Sequence, residues 1–322
     1  MAEKKEITFK YLEKYGNQVS KRGLATIMYE ENNETFKDVE DARYFVRLYT
    51  GTNGLKSRSY EENDNKYFFH EGEKQIEKMV YELQKENANI LILNDTHVPF
   101  HDNKAIDCAF EYGIRKGIDT VYLNGDNFDY YGESKFDKDL RKNRLESDYE
   151  KYNDFLFDVK TAFPNADIYF KVGNHEMRYY KTLMRSPQLA HLLGVGHFQF
   201  EEVFGFTELG IQIVHDYQIF KVGDTNIVHG HEIRGGGMFV ARWLALKFFE
   251  NTICGHFHKT DHYSKVLTGE KCLDFDSIGC LCDLHPKYMP INEWNHGFGH
   301  LIKRGQNTEF YNKKIVNGIV KE

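Results

Sequence analysis

The sequence predicts an α/β architecture: a small helical segment ahead of a larger domain whose strands deliver polar residues from their C-terminal ends. Three observations predict it. From Asn89 onward, short apolar runs alternate with longer amphipathic stretches, the strand–loop–helix order of βαβ units. Several of those runs end directly on polar residues, as Ile90–Leu93 ends on Asn94-Asp95. Five short motifs then follow in order: Asp95-Thr96-His97, Gly125-Asp126-Asn127-Phe128-Asp129, Gly173-Asn174-His175-Glu176, His229-Gly230-His231 and Gly255-His256-Phe257-His258.

Residues 1–60 read as helical. Phe9, Leu12 and Tyr15 fall near helical spacing within Ile7–Tyr15. Ser20 is placed to cap a second helix carrying Leu24, Ile27 and Met28, and Asp38 a third. Val39, Ala42, Phe45, Val46 and Leu48 would form the buried stripe of that third helix, with Gly51 and Gly54 marking its end. Arg43 and Arg47 lie on it, so the segment reads either as a helix-turn-helix contact with DNA or as a helical cap or oligomer contact. Eleven Lys/Arg against nine Asp/Glu over residues 1–60 leave a balance near +2, modest for a DNA reader. Residues 61–87 follow as a linker and lead-in helix, and 88–322 as the main domain that carries the five motifs.

Within that domain, strands are expected over Ile90–Leu93, Thr120–Leu123, Ile168–Val172, Gly210–Lys221, Thr225–Val228, Thr252–Cys254, Lys271–Ile278 and Gly299–Ile302. Helices are expected over Ala105–Lys116, Leu145–Phe163 and Met238–Glu250. Val222-Gly223-Asp224 reads as a hairpin turn.

Bulk properties narrow the function classes. A chain of 322 residues with 41% hydrophobic and 15% aromatic content can bury a substantial core. Its net charge of -7 argues against nonspecific nucleic-acid binding over the whole surface, though not against a local basic track. No run approaches the ~20 apolar residues that span a bilayer. The N-terminus lacks an apolar stretch of signal-peptide type, so a cytoplasmic location is expected. Cys108, Cys254, Cys272, Cys280 and Cys282 are odd in number and lack paired C-x-x-C spacing, which favours buried reduced thiols over a disulfide framework or zinc knuckle.

The motifs supply carboxylate, imidazole and amide donors, the types that suit manganese, iron or zinc. Asp126, between the first and third motifs and just after a glycine, is placed to bridge two cations. Two such cations polarise a phosphate and lower the pKa of a bridging water, so no serine or cysteine nucleophile is required.

On these motifs the chain resembles the calcineurin-like metallophosphoesterase superfamily, from about residue 88 to 260 or 303. The resemblance implies a four-layer α/β/β/α metallophosphoesterase sandwich, preceded here by the N-terminal helical segment. It implies two divalent metal ions, manganese first, with iron, zinc or nickel as alternatives. Asp95, His97, Asp126 and His258 would hold one, and Asp126, Asn174, His229 and His256 the other. His175 would donate a proton to the leaving oxygen or stabilise the transition state, oriented by Asp129. His231 would touch substrate phosphate or support the site from behind, while Asp102, His101 and Glu176 would be structural or supporting residues.

One departure bears on substrate. Serine/threonine protein phosphatases of the superfamily carry an arginine directly after the last aspartate of the second motif; here that residue is Tyr130. A basic stretch from Lys135 to Arg144, with Phe128, Tyr130, Tyr131 and Phe136 nearby, suggests contacts to phosphates and bases. Tyr130 and Arg144 are therefore candidate substrate contacts. The same stretch also reads as a solvated helix start. Residues 279–289 and 294–298 are similar to phage- and prophage-encoded members. The expected activity is a phosphodiesterase or nuclease acting on nucleic acid or nucleotides. A phosphomonoesterase, or a non-catalytic DNA-binding or scaffold protein on the same fold, are the alternatives. DNA contact through the N-terminal helices and oligomer formation are the expected partner interactions.

Overall fold

Alternation along the strand Asn87–Leu93 sends Leu91 and Leu93 to one face and Ile90 and Ile92 to the other. That split builds the domain. The computed structural model describes residues 2–50, 79–134, 145–233, 235, 237–269 and 271–321. They form two units, 1–75 and 76–322.

The strands of the larger unit are β1 (Val80–Glu82), β2 (Asn87–Leu93), β3 (Thr120–Leu123), β4 (Asp167–Lys171), β5 (Ile211–Val214), β6 (Ile219–Val222), β7 (Thr225–Val228), β8 (Asn251–Cys254), β9 (Asp261–Val266), β10 (Cys272–Ser277), β11 (Gly297–Arg304), β12 (Asn307–Val316) and β13 (Ile319–Lys321). One sheet has the order β13-β12-β11-β2-β3-β4-β5, the other β1-β6-β7-β8-β10-β9. In the first, β2, β3, β4 and β5 run parallel, with β11 and β12 added antiparallel.

Three apolar clusters stack the layers. Helices Asn103–Lys116 and Leu145–Ala162 bring Ala109, Tyr112, Leu156 and Val159 onto Leu91, Val121 and Phe170 of the first sheet. Between the sheets, Ile90, Ile92, Tyr122 and Tyr169 meet Phe220, Val222, Ile227 and Ile253. Beyond the second sheet, Val240, Ala241 and Leu244 of helix Val240–Lys247 pack on Val228, Cys254 and Phe275. The result is the α/β/β/α sandwich.

Two expectations need correction. Gly210–Lys221 is not one strand: β5 pairs with β4 in the first sheet, and β6 pairs with β7 in the second. The chain crosses between sheets at His215–Gln218. There the buried Lys171 ammonium donates to the carbonyls of His215, Asp216 and Gln218, satisfying a bend that would otherwise expose bare acceptors. The lead-in helix over 61–87 falls largely outside the described residues, and its described end is a strand. Tyr81 packs against Tyr169 and Phe220, while Val80–Glu82 pairs in parallel with Ile219–Lys221. Residues 177–209 hold short helices, including Met177–Arg185 and Phe200–Val203, too brief for a periodic signal.

In the N-terminal unit, helices Ala2–Tyr15, Lys21–Glu31 and Val39–Tyr49 enclose Leu24, Ala25, Met28, Ala42, Phe45 and Val46. Ser20 accepts from Gly23 N at 3.1 Å and Asp38 from Asp41 N at 2.7 Å, the two expected caps. Gly51 and Gly54 lie outside the described residues. The second and third helices are joined by Asn32–Asp38, longer than the three-to-four-residue turn of a helix-turn-helix. Arg43 is ion-paired with Glu40 at 3.1 Å.

A pH dependence follows from Asp41. Its carboxylate accepts from Lys37 N at 2.9 Å and meets Lys4 Nζ at 2.6 Å, and these contacts hold its pKa below the ordinary carboxylate value. A depressed folded-state pKa means that the unfolded chain binds more protons as pH falls. The stabilisation is therefore full above about pH 4 and is lost as pH drops through the folded value. Thermal melts of the full chain by circular dichroism should show the N-terminal helices weakening from pH 6 to pH 3, and Asp41→Asn should narrow that difference.

Candidate metal centre

Each of the five motifs begins where a strand ends. Asp95 follows β2, Asp126 follows β3, Asn174 follows β4, His229 follows β7 and His256 follows β8. This is the edge where open α/β sheets place ligands. Asp95, His97, Asp126, His256 and His258 all take left-handed backbone angles, with φ between 48° and 67°. Such angles cost on the order of 1–3 kcal/mol per non-glycine residue and recur at functional sites. Gly125 (φ 85°) makes the turn before Asp126, and a Cβ there would stand 2.6 Å from His229 Nδ1. The site is therefore built on tight loops that rigid strands anchor.

The donors converge around two carboxylates. Asp95 Oδ1 lies 3.2 Å from His258 Nε2, 3.9 Å from His97 Nε2 and 4.0 Å from His229 Nε2. Asp126 Oδ2 lies 3.2 Å from His229 Nε2 and 3.8 Å from His175 Nε2. The donor atoms of His97, Asp126 and His175 lie within 4.8 Å of one another, as do those of Asp126, His229 and His256. Asp126 thus belongs to both groups.

The ring tautomers are set from outside. His229 Nδ1 donates to Asn124 O at 2.7 Å, and His97 Nδ1 faces Asp129 Oδ2 at 3.1 Å, leaving both Nε2 atoms turned inward. His258 Nδ1 has Cys282 Sγ at 3.7 Å behind it.

Whether this set fits divalent cations can be judged from the buried polar atoms that lack a hydrogen-bond partner. Asp95 Oδ1, Asn174 Oδ1, His229 Nε2 and His256 Nδ1 are among them. Asp95 Oδ1 and His229 Nε2 face an imidazole and a carboxylate at 3.2 Å without an aligned hydrogen bond, while Asn174 Oδ1 and His256 Nδ1 have no hydrogen-bond partner, a cost of about 1–3 kcal/mol each; all four are ligand-type atoms on the loops that carry the motifs. The set fits. Charge agrees: burial and the neighbouring His229 pull His256 down to about 4, leaving the neutral ring that ligates a cation. Burial would also lower His229 and His258, but the carboxylates of Asp126 and Asp95 outweigh it and raise each to about 10. Without cations these carboxylates are neutralised by imidazolium, and metal uptake would displace those protons.

His175 stands at the rim of this group. Its Nδ1 lies 2.8 Å from Asp129 O and 3.3 Å from Asp129 Oδ2, and its backbone N–H donates to Asp126 Oδ1 at 2.8 Å. Burial opposes a proton on the ring, but Asp126 and Asp129 raise its pKa above the ordinary imidazole value. His231 sits behind the donors, its ring 5.3 Å from that of His229 and its Nδ1 3.6 Å from Glu232 Oε2. Burial lowers it to about 4.

Two supports hold the loops. Glu176, fully buried, accepts from the backbone N–H groups of Asp126, Asn127, Phe128 and Gly173. The Lys171–Glu232 pair at 2.9 Å braces the loop after β7, where Glu232 accepts from Gly230 N at 2.7 Å. Asp102 caps helix Asn103–Lys116 through Ala105 N at 2.8 Å, a structural role.

Tyr130 is not at the substrate face. The residue is 1% exposed, and its ring packs against Tyr149, Tyr152 and Phe200 in the core. Phe128 is likewise buried, so neither can stack a base. Arg144 and Phe136 lie outside the described residues. The sequence pattern did not mark Arg178, one helical turn after His175. Its Nη1 donates to Asp129 O at 2.7 Å and its Nη2 lies 2.9 Å from His175 Nε2. The i, i+3 spacing on the helix after the third motif was the available signal.

This fold and donor set define a metal-dependent phosphoesterase. The chain belongs to the calcineurin-like phosphoesterase family, whose model matches residues 88–289. The Gene 54 protein of Mycobacterium phage L5 is similar at 24% identity over 249 residues, covering 72% of this chain and 95% of that protein. Its counterpart in Mycobacterium phage D29 is 25% identical over 250 residues, with the same coverage. Among solved structures, Vacuolar Protein Sorting 29 from Cryptosporidium parvum is similar at 14% identity and a TM-score of 0.41, covering 74% of this chain and 96% of that one. A Pseudomonas putida nuclease is similar at 12% identity and a TM-score of 0.31, covering 69% and 87%. Among the described residues, no helix is long and apolar enough to cross a membrane.

Proposed function

We propose that the chain is a two-cation phosphodiesterase acting on nucleic acid or nucleotides. The observation that carries the two-cation reading is the position of Asp126, shared by the donors around His97 and by those around His229 and His256. On this reading Asp95, His97, Asp126 and His258 hold one cation, and Asp126, Asn174, His229 and His256 the other. When bound, such cations polarise a phosphoryl group and make a nucleophile from water near neutral pH.

The chain's own residues do the rest. His175 donates from Nδ1 to Asp129 O and turns Nε2 toward the leaving oxygen; Arg178 Nη2 donates to that nitrogen here, so His175 would serve as the acid once Arg178 moves onto the phosphate and Nε2 takes up a proton. Arg178 adds a fixed cation beside that same nitrogen, where a phosphate oxygen would meet both. Because Tyr130 is buried, no side chain at the position after Asp129 reaches out to clamp a terminal phosphate dianion. That favours a diester, whose single charge needs less clamping.

Removing Arg178 as Arg178→Ala should lower kcat/KM for a phosphodiester about ten- to a hundredfold, the worth of a hydrogen bond to a charged group. Steady-state kinetics of the manganese-loaded chain checks this, and an unchanged value would take Arg178 out of the site. The reading itself is tested with bis-p-nitrophenyl phosphate, p-nitrophenyl phosphate, and labelled single- and double-stranded DNA in parallel. Cleavage of the diester and DNA is the expected result. Cleavage of the monoester alone would replace the reading with a phosphomonoesterase.

A further inference from the structure

Exposed apolar side chains gather beside the metal centre on the segment 283–296. Tyr288 is 75% exposed, Ile291 93% and Met289 42%. Trp294 lies inward of them, its ring centroid 4.0 Å from that of His258 and 6.3 Å from that of Tyr288. Soluble proteins rarely gather such groups on a surface without a use for them.

The segment is held in place. Asn292 Nδ2 donates to Leu284 O at 2.7 Å and Met289 O at 2.8 Å, and Asn292 Oδ1 accepts from Trp294 N at 2.9 Å. Asn295 N donates to His258 O at 2.9 Å, tying the segment to the ligand loop itself. Lys259 Nζ joins Glu293 at 2.7 Å to Met238 O at 3.2 Å, tying the segment to the backbone that carries the exposed Met238. A segment braced this way presents its aromatic rings at low entropic cost.

We infer that Trp294 and Tyr288 form a stacking platform for the nucleobase attached to the phosphate at the metal centre. This rests on the phosphodiesterase reading of the site. The two rings meet edge-to-face at 66°, so a base stacked on one face meets the edge of the other ring, and because Trp294 is already against the His258 imidazole, a base seated there is next to the phosphate of the proposed site. The platform takes the role that the buried Phe128 and Tyr130 cannot.

Trp294 packs on a ligand, so Tyr288→Leu is the cleaner variant: it keeps an apolar side chain and removes the ring. The chain has two tryptophans, so Trp243→Phe leaves Trp294 as the sole indole. In that full-length background, with magnesium present, thymidine 5′-monophosphate should quench the indole emission where inorganic phosphate and ribose 5-phosphate do not. Adding Tyr288→Leu should raise the half-quenching concentration roughly tenfold. In parallel, the ratio of kcat/KM for thymidine 5′-p-nitrophenyl phosphate to that for methyl p-nitrophenyl phosphate should fall about tenfold in Tyr288→Leu, through KM. Quenching by phosphate alone, or a ratio equal to that of the parent chain, would overturn the platform while leaving diester hydrolysis standing. Failure to hydrolyse either diester would overturn the phosphodiesterase reading, with the quenching still deciding the platform. Light scattering that shows a dimer lost on Ile291→Ser, with no nucleotide quenching, would overturn it in favour of an interface between copies.

Discussion

Asp126→Asn should leave the chain folded and reduce phosphoester hydrolysis on the order of a thousandfold, with cation binding weakened in step. The side chain is fully enclosed, and its Oδ2 faces His229 while its Oδ1 accepts from His175 N at 2.8 Å. Asparagine preserves shape and volume but removes the charge shared by the two donor groups. Metal-derived stabilisation of a phosphoryl transition state is worth several kcal/mol, which corresponds to a few powers of ten in rate. The buried charge also holds His229 up to about 10, so the variant should lower that ring's pKa in the metal-free chain. Histidine titration by NMR would read this, and an unmoved His229 together with full activity would break the assignment.

The second large effect belongs to a residue that touches no substrate. Glu176→Ala would leave the N–H groups of Asp126, Asn127, Phe128 and Gly173 without their shared acceptor. At about 1–3 kcal/mol for each buried unpaired donor, the loss is several kcal/mol, before any relaxation or water entry. For a domain of this size that is a melting temperature roughly 10 °C lower or more. Because three of these N–H groups belong to the loop that carries Asp126 and Asp129, and Gly173 opens the loop that carries Asn174 and His175, activity should fall along with stability. Calorimetry checks the first part; a variant as stable as the parent chain would show that the loop does not depend on this carboxylate.

Much of the centre was legible in the sequence because its donors are local to strand ends. An apolar run followed by Asn94-Asp95 or Gly125-Asp126 both ends the strand and supplies a candidate donor, so one pattern carries structure and the proposed chemistry together. The parallel strands and the caps Ser20 and Asp38 were readable because apolar runs and capping side chains are local signals too, whereas the layered sandwich came with the family resemblance. What escaped the sequence depends on long-range packing. The break between β5 and β6 follows from where Lys171 places its ammonium, a residue some forty positions earlier in the chain. Tyr130 looked like a substrate contact by its position after Asp129, but it packs among Tyr149, Tyr152 and Phe200, which come from distant stretches of the chain that its neighbours in sequence do not reveal. The platform at Tyr288 and Trp294 reaches the centre from the far end of the domain, beyond all five motifs. Glu176 was recognised as a supporting residue, but that it gathers four backbone donors appears only once β3 and β4 lie side by side.

The most direct test of the central claim is to count cations. Manganese-loaded chain, freed of excess metal, would be measured by plasma mass spectrometry alongside its hydrolysis of bis-p-nitrophenyl phosphate before and after chelation. The account predicts two cations per chain, activity lost on chelation and restored by manganese, and neither in Asp126→Asn. Full activity in chelated, metal-free chain would contradict it.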